Sequence, residues 1–420
     1  MSQEPEVQEE PGDERVKPWA SLAHRDFRYM WAGALSASIA RQMRQVINLY
    51  FIYELTDSAY MLGLVGLFQV IPTMAFGLFG GVIADVFDRR KLLLIAQVGG
   101  MIPAIGLAAL VHTDTIEVWH IFAFTAMSAA MNILEGPART AYLPRLVPSH
   151  HLMNAVTLNS SVFELSVLIG PIFGGILIDY IDMGNVYVVN AVLFTPTLFF
   201  FSMIKASGKP LGEARSVSFK AIFEGMQFIW FQRILLGLFL VDFGLVIVGF
   251  YRPILTILAS DVFRVGGTGL GILFAAPAIG SFMGFVTLLW VGDVKRKGSL
   301  FLVSVMGYAF GLIFLGLAPW FWLALIAAWT LGYTDSISVV IRQTLTQLLA
   351  PDEVRGRAAS FANLFAGAGN ALGSMEAGFV AQAIGAGGTL VFGGIVATVI
   401  VSSVGLSWRG LWRYRSPKQQ

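Results

Sequence analysis

Gly81-Val82-Ile83-Ala84-Asp85-Val86-Phe87-Asp88-Arg89-Arg90-Lys91 separates two long apolar runs, 60–84 before it and 92–111 after it. A helix needs about 20 apolar residues to cross a hydrocarbon core of about 30 Å, so each run is long enough to span a bilayer. The break between them is short and carries three consecutive cations, Arg89, Arg90 and Lys91. A short basic turn between two spans is the mark of a cytoplasmic loop.

The pattern repeats outward from there. Apolar stretches of spanning length occupy 29–53, 60–84, 92–111, 118–137, 153–178, 184–204, 233–258, 267–291, 298–317, 320–341, 357–384 and 387–408, here numbered spans 1 to 12. Composition agrees, with 56% apolar and 13% charged residues and a mean hydropathy of +0.71. A soluble domain carries about 25% charged residues, so lipid must replace water around most of this chain. Cysteine is absent, which excludes disulfides, thiolate metal sites and cysteine nucleophiles. The first residues are polar and acidic (Glu4, Glu6, Glu9, Glu10, Asp13, Glu14), the opposite of a signal peptide, and 1–24 reads as a disordered cytosolic tail.

Loop charge sets the orientation. Junctions after odd spans are acidic (Glu54, Asp57, Asp114, Glu117, Asp179, Asp182), whereas those after even spans carry Arg89 to Lys91, Arg139 with Arg145, Lys205 to Lys220, Lys295 to Lys297, and Arg355 with Arg357. Of 28 lysines and arginines, all but Arg41, Arg44 and Arg252 inside the membrane and Arg264 on the far side fall on one face. The positive-inside rule makes that face cytoplasmic, with both termini there.

An internal repeat appears at an offset of 203 residues: Gly81 with Gly284, Arg139 with Arg342, Pro148 with Pro351, Ala155 with Ala358, Gly170 with Gly373, and Gly175 with Gly378. It lays span 4 over span 10 and span 5 over span 11. The expected fold is therefore an all-α membrane protein of twelve transmembrane helices in two parallel six-helix pseudo-repeats, 25–204 and 233–408, joined by a cytoplasmic linker over 205–232 and followed by a basic tail over 409–420.

Ionisable residues inside a span are costly and mark functional sites. Arg41 and Arg44 share one face of span 1 with Ser38, Gln45 and Asn48, a stripe suited to a water-filled cavity. Glu164 in span 5 is paired with Arg41 or Arg44, as a proton-coupling pair or as a static ion pair. Asp242 and Asp335 are the counterparts in the second half, with Asp335, Ser338 and Arg342 forming a second stripe matched in span 4 by Ser128, Asn132 and Glu135. Phe243, Trp329 and Tyr333 supply an apolar cavity wall. Gly170, Pro171, Gly174, Gly175, Gly373 and Gly378 allow close helix packing.

The loop from Gly81 to Lys91 resembles the signature loop of the major facilitator superfamily, a glycine, three residues, an aspartate and a basic cluster. Gly170-Pro171-Ile172-Phe173-Gly174-Gly175 is similar to the glycine-proline motif of its proton antiporters, with Ser166 in place of an upstream glycine. Tyr53-Glu54-Leu55-Thr56, Gly136-Pro137-Ala138-Arg139, Tyr142 to Pro148 and Asn154-Ala155 resemble the branch containing the enterobactin (siderophore) exporter and macrolide efflux proteins. The resemblance implies secondary active export of a siderophore, macrolide or other drug-like molecule across the cytoplasmic membrane. It implies alternating access by proton antiport, powered by the proton gradient without cofactor or metal, in a monomer whose partners are the bilayer and a small-molecule substrate, with no nucleic acid. Spans 1, 4, 7 and 10 would line the cavity, and Gly81, Asp85, Arg89, Arg90, Glu135, Arg139 and Arg342 would gate it. The arginine that many relatives carry in mid-span 4 is absent, which moves coupling toward Arg41 and Arg44. Uptake, lipid flipping and a non-transporting sensor are alternatives. An enzyme is the remaining one, although no His-Glu-x-x-His or Gly-x-Ser-x-Gly motif is present.

Overall fold

The computed structural model describes residues 18–209, 226–292, 294, 296–408 and 412, with the side chains of 78–82, 84–85, 233 and 352–365 outside that description. Most of the acidic tail, the linker and the basic tail lie outside it, as do Gly81 and the Asp85 side chain. The described residues form α1 (Arg25–Thr56), α2 (Ala59–Val86), α3 (Arg89–His112), α4 (Val118–Tyr142), α5 (Leu152–Tyr180), α6 (Met183–Val192), α7 (Phe194–Met203), α8 (Arg233–Val248), α9 (Arg252–Ile257), α10 (Gly266–Val291), α11 (Lys297–Leu317), α12 (Phe321–Leu349) and α13 (Asp352–Ser407).

Local chemistry explains the ends and breaks. Ser58 caps α2 through the Met61 amide, and Asp88 caps α3 through the amides of Arg90 and Lys91. Span 6 is α6 followed by α7, and span 7 is α8, an open stretch over 249–251, then α9 and a π-helical turn, Leu258–Val262. Spans 11 and 12 meet inside α13 at Gly385, whose φ of +77° only glycine adopts readily. Among the described residues nine helices are long and apolar enough to cross a membrane by composition alone. The shortfall from twelve has physical reasons: α13 holds two spans, and α1 and α4 are diluted by their polar stripes.

The two halves meet along two seams, α5 against α10 and α2 against α13. Gly175 abuts the backbone of Gly267 and Gly271, and Gly378 abuts that of Gly63. Within the halves, Gly170 fits against Met43 of α1, and Gly373 against Val246 of α8 and Phe250 just beyond its end. Both pairs repeat at the 203-residue offset, so the sequence repeat marks equivalent helix crossings.

Core packing shows how the halves are tilted. At the end bearing the acidic junctions, Ile47, Leu62 and Tyr187 of the first half share one hydrophobic cluster with Ile254, Leu270 and Leu331 of the second. At the end bearing the basic junctions each half has its own cluster, one around Phe27, Leu93 and Tyr142, the other around Leu235, Phe301 and Leu345. Five hydrogen bonds join the halves at the acidic end. Asp179 accepts from the Gly267 and Thr268 amides at the start of α10 (2.6 and 2.7 Å), Tyr53 bonds Asp261, Ser58 bonds Gln382, and Ser374 donates to the Gly63 carbonyl. Toward the basic end, a side chain added at Gly77, Gly136 or Gly367 would meet open space. The molecule is closed at its acidic face and parted at its basic face.

Candidate functional site

Between the parted halves lie three adjoining cavities. The first, about 520 Å³, belongs to the N-terminal half. The second, about 240 Å³, lies between α1 and α2 on one side and α9 and α13 on the other. The third, about 240 Å³, opens between α5 and the second half. Gln45, Gln69 and Thr73 line the first two, Phe163 the first and third, and Arg252 the second and third, so the three run together.

The polar stripe of α1 faces this space. Ser38, Arg41, Arg44, Gln45 and Asn48 line the first cavity with Ser128, Asn132, Glu135 and Arg139 of α4. Glu135 is 3% exposed. It accepts from Arg41 at 2.6 and 3.0 Å and from Gln97 of α3 at 2.9 Å, and Arg139 lies 3.6 Å away. Arg44 donates to the Gly100 carbonyl at 2.5 Å and stands over the Phe194 ring at 5.5 Å. Asn48 is locked between Thr125 and Tyr187.

The expected pairing of Glu164 with Arg41 or Arg44 is not the one formed. Arg41 takes Glu135, and Glu164 lines the third cavity with Arg252 and Asp335. The reason is helix rotation. Glu164 lies seven and eleven residues before Pro171 and Gly175, on the face of α5 that meets α10, whereas Gly170 and Gly174 turn toward α1.

Asp242 and Arg342 form an ion pair between α8 and α12. This is the second-half counterpart of Arg41–Glu135, a bond between the first and fourth spans of the half, with the charges exchanged. Phe243 packs at Gly369 of α13, Trp329 stacks on Tyr333, and the Tyr333 hydroxyl bonds Thr287 of α10. Ser338 donates to the Asp335 carbonyl. These four are engaged in helix packing; the described cavity walls of the second half are made by other residues. Arg89 donates to the Ala141 carbonyl, and Arg90 to the carbonyls of Phe201 and Ser202, so both clamp the first half internally.

Several residues of the site escaped the sequence reading, two on the cavity wall and one buried behind Glu135. Gln69 and Thr73, one turn apart in α2, and the solitary Gln97 in α3 are polar interruptions in apolar helices, the signal that marks such sites. Arg252 has an intramembrane position in the sequence, but its importance comes from the break at 249–251. The break starts a new helix at Arg252 and frees the Gly249 carbonyl, which Tyr308 satisfies at 3.0 Å. Interrupted helices of this sort build transporter binding sites.

A sequence profile for the family described as transmembrane secretion effector, a branch of the major facilitator superfamily, matches residues 16–409. The chain belongs to this family. It is 24% identical over 363 residues to the multidrug efflux pump Tap of Mycolicibacterium fortuitum, spanning 84% of this chain and 88% of that one. It is 25% identical over 338 residues to the enterobactin exporter EntS of Escherichia coli, spanning 80% of each. The fold is shared with a bacterial homologue of the human lysosomal transporter Spinster, at TM-score 0.74 and 14% identity over 97% of this chain and 100% of that one. It is also shared with a POT family transporter in complex with 5-aminolevulinic acid, at TM-score 0.75 and 12% identity over 92% and 96%. This secretion effector is thus a multi-pass membrane transporter of the major facilitator fold, the family indicated by its signature loop.

Proposed function

We propose that this secretion effector exports a small drug-like or siderophore-like molecule across the cytoplasmic membrane by alternating access, in exchange for protons. The supporting observation is a charged cavity sealed at one face by two glycine seams and open at the other. With the basic face inward and both termini cytoplasmic, the cavity is open to the cytoplasm and ready to load. The kinship with an efflux pump and a siderophore exporter favours the outward direction. The working unit is a monomer, and the proton gradient is its energy source.

Coupling falls to Glu164 and Asp335, which share the third cavity with Arg252. Glu164 comes from one half and the other two from the second half, so rocking the halves changes the distance between them. A carboxylate whose solvation and cationic neighbour both change with conformation gains and loses a proton as the cavity changes sides.

Everted vesicles carrying an imposed ΔpH test this reading, with a siderophore, a macrolide and a lipid as cargo. The expected result is that a drug-like cargo collapses ΔpH. Glu164→Gln and Asp335→Asn should each cut ΔpH-driven accumulation at least tenfold. Undiminished ΔpH-driven transport in both variants would remove them from the coupling step, and collapse of ΔpH by lipid alone would favour flipping.

A further inference from the structure

The continuous cavity carries opposite charge at its two ends. In the first cavity three guanidinium groups, Arg41, Arg44 and Arg139, face one carboxylate, Glu135. Arg41 holds that carboxylate with two hydrogen bonds, and Arg139 reaches it only as a looser ion pair at 3.6 Å. Arg44 is held by a carbonyl and an aromatic ring, neutral partners that leave its charge uncancelled. Arg139 keeps Nε and Nη1 buried without a hydrogen-bond partner among the described residues. The excess is two positive charges.

In the third cavity the balance reverses. Two carboxylates, Glu164 and Asp335, face one guanidinium, Arg252, between walls that include Phe163, Phe274 and Phe285. Phe163 lines both the first and third cavities, so an apolar ring stands between the cationic and the acidic ends. An uncompensated charge removed from bulk water is costly, and a bound group of opposite sign offsets that cost. Each end therefore selects its own ligand group.

From this arrangement we infer that the substrate is an amphiphilic zwitterion, with an acidic group bound at Arg44 and Arg139, a cationic nitrogen group bound at Glu164 and Asp335, and a flat apolar body across Phe163. The inference rests on the export reading for the use of the cavity, but its content is the charge pattern of the ligand. It also gives the exchange a physical basis. The substrate cation and a proton compete for the same two carboxylates, so each leaves as the other arrives, while the acidic group anchors at the other end.

Three xanthene dyes of similar skeleton test the inference by fluorescence polarisation with the purified full chain in lipid nanodiscs. Rhodamine B carries both charges, its ethyl ester carries only the positive one, and fluorescein carries only negative charge. Rhodamine B is expected to bind at least tenfold more tightly than either of the others. In Arg139→Gln its advantage over the ester should shrink to less than threefold, and in Asp335→Asn its advantage over fluorescein should shrink likewise. Ratios measured within one preparation are insensitive to the fraction that folds. Equal or tighter binding of the ester or fluorescein, ratios unmoved by the substitutions, or no binding of rhodamine B would overturn the inference. The assay needs no transport. The expected ranking without ΔpH-driven efflux would therefore contradict the export reading alone, and efflux of drugs with the wrong ranking would contradict only the zwitterion.

Discussion

Leucine in place of Gly175 is expected to abolish transport while leaving the protein folded and inserted. A Cβ at this position would overlap the Gly267 carbonyl oxygen and stand 2.9 Å from the Cα and N of Gly271. All three atoms are backbone, so nothing can rotate aside. Overpacking a well-fitted contact costs roughly 1–3 kcal/mol even where side chains can adjust, and here the relief is to part the seam. Folding should survive because Gly175 faces the partner half, whereas the packing of α5 on α1 uses Gly170 and Gly174. Gly378→Leu should behave alike, since Gly63 Cα would lie 2.7 Å from the new Cβ. Gly77→Ala, at a site facing open space, is the control. Efflux at background level with a monodisperse elution profile is the expected readout; normal efflux in both leucine variants would show that the seams need not close.

The second large effect concerns Asp179, whose carboxylate receives two amides from the first turn of α10 across the boundary between halves. A carboxylate at a helix N-terminus satisfies amides that lack an intrahelical partner and meets the positive end of the helix dipole. Hydrogen bonds to a charged group contribute about 1.5–3 kcal/mol each, and water at the exposed end replaces part of that when they are lost. Asp179→Ala should therefore weaken the closed face by roughly 2 kcal/mol, a shift of about thirtyfold in the balance of the two states. Because the natural chain has no cysteine, a single Leu49→Cys reporter on the cavity wall makes the shift measurable. Its reaction with an impermeant maleimide applied from the acidic-loop side should accelerate about thirtyfold in the Asp179→Ala background, and an unchanged rate would show that Asp179 does not hold the face shut.

Both predictions use features that were partly legible in the sequence. The Gly175 and Gly378 pair is visible at the repeat offset, and the structure places the two glycines at equivalent crossings. The stripe of Ser38, Arg41, Arg44, Gln45 and Asn48 follows from helical spacing alone, because periodicity reports which residues share a face. Periodicity does not report what that face meets. The pairing of Arg41 with Glu135 depends on the rotation of α4, and the placement of Glu164 beside Arg252 and Asp335 depends on the tilt between halves. Tertiary geometry of that kind has no local signature. The second half was less readable for a further reason. Its site is organised by the break at 249–251, and an interruption of only three residues inside a long apolar run leaves the hydropathy unchanged.

Under the proposed alternating access, cargo leaves only when the halves part at the face now closed. Ser58 and Gln382 stand on opposite sides of that face with their side chains 3.4 Å apart. In the naturally cysteine-free chain, Ser58→Cys with Gln382→Cys gives a single pair that can be joined by oxidation or by a short bifunctional thiosulfonate. Efflux should stop on joining and return on reduction, whereas full-rate efflux by the joined protein would contradict the account.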